Sequence, residues 1–214
     1  RHIVSELLER FEIQFRSRMC YYLVNKYCAT CYMRSELFDN QSYHKELLRA
    51  IDREKAQQAS SLIIRHHNDV YNGVLPLWAL IEIMSFGSIS KFYCNLNKDD
   101  QEEIASYYHT NSYYLKSWVK SFVEVRNICA HYGRLYNRSL MRPPKLYKSI
   151  QNVNNRFVYS VFYLLAMNIN NPEMVIRCCT SLRSDFALHT SANCKEIGAP
   201  DDWYDDVIRF AGVF

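Results

Sequence analysis

One short stretch of this 214-residue sequence gathers groups that can act on a phosphodiester: Arg126-Asn127-Ile-Cys-Ala-His131. Arginine offers a planar fork that stays charged and matches phosphate oxygens. Histidine exchanges a proton near neutral pH, which suits general acid–base work. RNA carries its own nucleophile, the 2′-hydroxyl. Its cleavage therefore needs a base, an acid and positive charge beside the phosphorane, and in principle no metal. The spacing poses a geometric problem. Positions 126 and 131 lie about 140° apart around a regular helix, whereas Asn127 and His131, four apart, share a face. Arg126 must reach around its helix, the helix must distort, or a second copy must contribute; a two-fold homodimer could build one composite site.

The surrounding charge suits the same ligand. Between Ser112 and Ile150 there are eight Lys or Arg and one acid, Glu124, a local net of +7. The other 18 basic and 21 acidic residues leave −3 for the rest of the chain. A concentrated positive field favours an anionic partner, with nucleic acid the leading candidate and a merely solvated basic face the alternative.

These residues need a scaffold, and the pattern of the chain supplies a helical one. Gly and Pro number only 5 each, hydrophobic residues make up 49% and charged residues 22%. Such values exclude wholesale disorder and favour long helices over a many-turned sandwich or barrel. Helical periodicity runs from Ile3 to about Tyr27, and a polar helix is expected from about Tyr43 to Asn68 with Ser42 as its cap. An apolar helix is expected over Leu77 to Leu96, with Trp78, Ile81, Met84 and Phe92 in the core. A short one follows from Asp99 to Tyr107, opened by Asn97. Ser112 caps a helix that reaches about His131 or beyond. Arg142-Pro-Pro144 cannot lie inside a helix. Three more follow at Arg156–Asn168, Pro172–His189 and Asp201–Phe210. No period-2 strand is visible, so the class is all-α. The expected organisation is a single helical domain over residues 1–214, with a core over about 1–140 and a helical extension over about 145–214.

Within the Ser112–Tyr132 segment, Leu115, Trp118, Phe122, Val125, Cys129 and Tyr132 are spaced 3, 4, 3, 4, 3. That is a packing seam. Lys116, Lys120, Asn127, His131 and Arg134 fall in a second arc of about 60° opposite it. Tyr107, Tyr108, Tyr113 and Tyr114 could stack bases beside this helix or simply pack. His131 could instead cap the helix C-terminus, and Arg126 could pair with Glu9 or Glu12. Cys28-x-x-Cys31 is the one metal-like or redox-like cysteine pair among 8 cysteines, and it lacks a second half, so no metal or other cofactor is expected. Without a signal peptide or an apolar run of 18 residues, a reduced cytoplasmic protein with no membrane segment is expected.

The run Arg126-Asn-Ile-Cys-Ala-His-Tyr-Gly-Arg-Leu-Tyr-Asn-Arg138 resembles the hallmark of the AbiD/AbiF-type abortive-infection family of bacterial phage-resistance proteins. So do Leu75-Pro-Leu-Trp-Ala-Leu-Ile-Glu-Ile-Met-Ser-Phe-Gly-Ser-Ile-Ser-Lys-Phe-Tyr93 and Glu9-Arg-Phe-Glu-Ile-Gln-Phe-Arg16. The likeness covers Arg1 to Leu140, and within it Arg-Asn-x-x-x-His is similar to the R-x(4–6)-H motif of HEPN ribonucleases, including type VI CRISPR effectors. Tyr132 stands where a second His is usual and Tyr136 where Trp is usual. The chain begins at Arg1 already in helical pattern, so a preceding N-terminal segment is expected. The resemblance implies a HEPN-like bundle, metal-independent RNA cleavage by a homodimer, and a toxin-like role in antiviral defence. It makes Arg126 and His131 the catalytic pair with Asn127 orienting one of them. Lys116, Lys120, Arg134, Asn137 and Arg138 then become RNA-binding residues, with a regulatory small RNA as a further partner. The alternative is a non-catalytic protein that holds a structured small RNA on the same basic face.

Overall fold

The computed structural model describes residues 1–211, and among them the chain forms ten α-helices and three short 3-10 turns, with no strand. The fold is all-α, as the periodicity requires. Two compact units divide the chain: one holds Arg1–Ile13 and the residues from Tyr113 onward, the other Gln14–Ser112.

The second unit contains most of α1 (His2–Lys26), then α2 (Gln41–Gln57), α3 (Leu62–Tyr71), α4 (Leu77–Ile83), α5 (Phe86–Asn95) and α6 (Lys98–Ser106). Phe15 packs edge-on against Tyr93 with ring centroids 5.4 Å apart, and Met19, Leu23, Leu80, Ile89 and Ile104 close the core around them.

The structure departs from four expectations of the sequence. The cap of α2 is Asn40, whose side chain accepts from Tyr43 N, not Ser42. The polar helix expected over 43–68 is interrupted at 58–61. There the Gln58 side chain donates its Nε2 to Ile83 O at 3.1 Å, while its backbone N still donates to Lys55 O. The apolar helix expected over 77–96 is likewise two helices, broken at Met84 and Ser85. Ser85 caps α5 by accepting from Ser88 N. The Arg16 guanidinium donates to the carbonyls of Ile81 and, at 2.7 Å, of Met84. The break leaves α4 carbonyls without intrahelical partners, and a cation from α1 satisfies them. Trp78, expected in the core, is 54% exposed, while Ile81, Met84 and Phe92 are buried.

The first unit is built from the start of α1, then α7 (Ser112–Ala130), α8 (Val158–Asn168), α9 (Pro172–Leu188) and α10 (Trp203–Ala211). Helix α8 begins at Val158 rather than Arg156 and is buried on every side from Val158 to Ala166, so it forms the centre of this unit. Helix α10 packs on α8 and α9, with Trp203 edge-on to Tyr159. Pro172 opens α9 behind the Asn171 cap, as expected. Phe11 of α1 meets Phe122 of α7 at 4.8 Å, nearly perpendicular.

The second unit has one fully buried charge. The Asp100 carboxylate, with no exposed surface, accepts from Lys26 Nζ at 2.7 Å. It also accepts from the hydroxyls of Tyr22 and Tyr27 and from Asn97 Nδ2. The hydrogen bond to Asp100 holds the Lys26 ammonium well above the usual lysine range. Breaking such a cluster leaves several donors without a partner. Asp100→Ala is therefore expected to cost about 3 kcal/mol of stability, measured as a lowered denaturant midpoint.

Candidate functional site

Helix α7 inserts Leu115, Trp118, Phe122 and Val125 into the first unit, where all four are buried. Cys129 is half-buried, but Tyr132, expected on the same seam, is 81% exposed. The reason is that the regular helix ends at Ala130, earlier than the pattern suggests. Tyr132 N donates to Cys129 O at 3.0 Å and Gly133 N to Ile128 O at 2.7 Å. This pair of bonds is a Schellman turn, which satisfies the last carbonyls of a helix. It requires one residue in left-handed backbone, and that residue is Tyr132, at φ +55°. A bulky side chain pays about 1–2 kcal/mol there. The glycine comes one position later, where a Cβ would lie 2.9 Å from Ile128 Cγ2 and 3.1 Å from Ile128 O. Arg1 sits over the Tyr132 ring at 5.1 Å.

The early turn decides where the expected site residues go. His131 is the last residue before the reversal, with its N donating to Asn127 O at 3.0 Å. Its position is a capping one, yet its imidazole makes no hydrogen bond among the described residues and is exposed. Asn127 is exposed one turn below it. Lys120 is exposed and Lys116 half-buried on the same side of α7. Arg134 lies beyond the turn, so the helical wheel that grouped it with these residues does not extend to it.

After the turn, Leu135 is buried, the Tyr136 hydroxyl accepts from Asn193 N at 2.9 Å, and Asn137 N donates to Glu196 O at 3.1 Å. Asn137 is itself left-handed at φ +49°, which asparagine tolerates. Its side chain is exposed, as are those of Arg134 and Arg138. The Arg138 guanidinium folds back: its Nη1 is 3.5 Å from where a Cβ on Gly133 would stand. That brings a cation to the C-terminal end of α7, the end its dipole favours.

Arg126 takes a different course. Its Nε lies 3.7 Å from Glu12 Oε2, with side-chain exposures of 46% and 13%. The pairing with Glu12 that the sequence allowed is thus present, and Arg126 is also open to solvent. At that distance, and with Arg126 half-exposed, the pair contributes little stability. Regular geometry keeps it about 140° from His131 within one chain.

Sequence reasoning missed the role of Glu124, although its solitude among eight cations was visible. The Glu124 carboxylate accepts from Met141 N and Arg142 N, both at 2.7 Å. Lys145 N donates to Ser117 Oγ at 2.9 Å, and Trp118 Nε1 donates to Lys145 O at 2.7 Å. The segment after the turn is thereby fastened alongside α7. Glu124 keeps its negative charge, and the net of +7 between Ser112 and Ile150 already counts it.

All eight cysteines are free thiols. Burial, with smaller contributions from Cys28 and Cys20, pushes the Cys31 thiol up to about 12, so it stays protonated at neutral pH. Among the described residues, no group of three or more His, Cys, Asp or Glu side chains is placed to hold a metal ion, and no helix is long and apolar enough to cross a membrane. Asp201 pairs with Lys195 at 3.2 Å and Asp206 with Arg209 at 3.8 Å.

A model of the protein family described as Abi-like protein matches residues 1–137. The match ends within the turn-and-return segment and includes Arg126, Asn127 and His131. No curated protein and no solved structure matches the chain.

Two substitutions test the turn. Tyr132→Gly relieves the left-handed strain and is expected to raise stability by about 0.5–1 kcal/mol. Gly133→Ala drives a methyl into Ile128 and is expected to cost about 1–3 kcal/mol. Thermal unfolding of the two variants beside the parent chain should show shifts of opposite sign.

Proposed function

We propose, for a chain that belongs to the Abi-like protein family, a metal-independent endoribonuclease acting in abortive infection. The family itself suggests phage defence. The ribonuclease reading rests on one observation above all: His131 and Asn127 are exposed on one side of a basic helix at its closed C-terminal end, the end toward which the Arg138 guanidinium folds back.

In this reading a neutral imidazole takes the proton of the 2′-hydroxyl, O2′ attacks phosphorus, and the bond from phosphorus to O5′ breaks. The departing O5′ receives a proton from an imidazolium, leaving a 2′,3′-cyclic phosphate and a 5′-hydroxyl. Arg126 offsets the charge gathering on the non-bridging oxygens, and Asn127 orients the reacting groups. Lys116, Lys120, Arg134, Asn137 and Arg138 hold neighbouring phosphates.

In-line displacement places O2′ and O5′ on opposite sides of phosphorus, which a single imidazole serves poorly. A two-fold homodimer supplies two copies of His131 and brings in Arg126 from the far side of its helix. This is the architecture that a HEPN-like relationship implies. A regulatory small RNA is compatible with the same surface.

A second reading is favoured by the Arg126–Glu12 pair: a non-catalytic protein in which Arg126 is structural and the basic face holds a structured RNA. Purified protein and end-labelled RNA separate the two. The nuclease is expected to cut in the presence of EDTA and to sediment as a dimer. His131→Ala and Arg126→Ala should each lower the rate by at least about 100-fold while the fold survives. Parent-level cleavage by both variants would remove the nuclease reading. Salt-sensitive binding without products, weakened by Lys116→Ala, Lys120→Ala or Arg138→Ala, would establish the second one.

A further inference from the structure

The basic face of α7 has a second end, and its residues fit a nucleobase rather than a phosphate alone. Tyr113 heads the helix and is 58% exposed. The Lys145 ammonium lies over its ring, 3.4 Å from the centroid. Tyr114 abuts it edge-on at 5.3 Å. Behind Tyr114 stands Tyr147, at 4.5 Å, and beside that Trp118, at 5.6 Å. The Lys145 backbone is tied at N to Ser117 and at O to Trp118, which sets the root of its side chain beside the ring. The result is a braced, exposed aromatic ring with a cation over one of its two faces.

The placement of this ring is specific. On the α7 wheel Tyr113 falls in line with His131, and Lys116, Lys120 and Asn127 lie between them within an arc of about 60°. The axial distance from Tyr113 to His131 is about 27 Å, some eight nucleotides at a stacked rise of 3.4 Å and fewer when the strand is extended. Within α7 the only carboxylate is Glu124, which accepts from backbone amides, and at the head of the helix the Glu102 carboxylate accepts from Ser112 N and Oγ.

We infer that Tyr113, with Lys145, is a stacking platform for an unpaired base of single-stranded RNA whose backbone follows Lys116 and Lys120 toward His131. The base stacks on the face opposite Lys145, which any base can do, and flanking cations hold the neighbouring phosphates. A duplex offers no free base face at this position, so the platform selects single strands. The inference rests on RNA being the ligand of the proposed site, but not on cleavage.

The test uses the cleavage-deficient His131→Ala protein and a fluorescein-labelled 12-nucleotide single-stranded RNA, followed by anisotropy at low salt. Adding Tyr113→Ala is expected to weaken binding roughly 5- to 100-fold, and Tyr113→Trp to retain it. Lys145→Ala should weaken binding and flatten its salt dependence. A blunt 12-base-pair duplex should bind more weakly and be indifferent to Tyr113. Because Tyr113 is exposed, its removal leaves the core intact, which circular dichroism verifies. Unchanged affinity of the Tyr113→Ala protein, equal losses for Ala and Trp, or a duplex that depends on Tyr113 would each overturn the platform. No RNA binding at all would overturn both the platform and the RNA reading. The expected pattern in a parent protein that does not cleave would remove only the nuclease.

Discussion

The closure of α7 is the constraint on which the candidate site depends. Had the helix continued through Tyr132, its ring would have stayed on the buried seam and Arg134 would have joined the basic arc. Instead two backbone bonds, Tyr132 N to Cys129 O and Gly133 N to Ile128 O, stop the helix one residue before His131. They turn the chain so that the histidine stands at an exposed corner. The strain of a left-handed tyrosine is the cost of that corner, and Gly133 makes it sterically feasible.

Fastening the return segment is the second requirement. Polar side chains on α7 act on backbone rather than on one another: Glu124 on two amides, Ser117 on one, Trp118 on a carbonyl. A proline-containing, irregular segment has few backbone bonds of its own, so these side chains supply its partners. Of the cations of α7 and of the return segment, Arg126 pairs with Glu12, and Glu124 is turned to backbone amides rather than to the others. A positive field therefore remains at the surface, where it can act on an anionic ligand.

The second unit shows the same logic at its helix ends. Arg16 meets the carbonyls released where α4 stops, and Glu54 meets the Ser85 amide where α5 starts. Both are charged groups placed at helix termini of matching polarity. Asp100 adds the capping chemistry of α6, where Asn97 accepts from its amide while its own carboxylate gathers two tyrosines and a lysine.

Apolar spacing of three and four residues, together with scarce glycine and proline, determined the helical class and most helix positions. Local chemistry alone marked the start of α6 at Asn97 and the start of α9 at Pro172. The cluster Arg126–Asn127–His131 and the basic stretch around it were also legible, because residue type and spacing are properties of the chain itself. Tertiary structure decided the rest. The breaks at 58–61 and 84–85 follow from partners distant in sequence, Ile83 for Gln58 and Arg16 for Met84, which no local window contains. Trp78 faces solvent because an apolar period says which residues share a face, not how wide the buried part of that face will be. The end of α7 and the direction of Arg126 toward Glu12 depend on contacts across more than one hundred residues or on a backbone state that tyrosine rarely adopts. Short-range preference sets which helices form; where they stop and what they expose is settled by the groups that meet their ends.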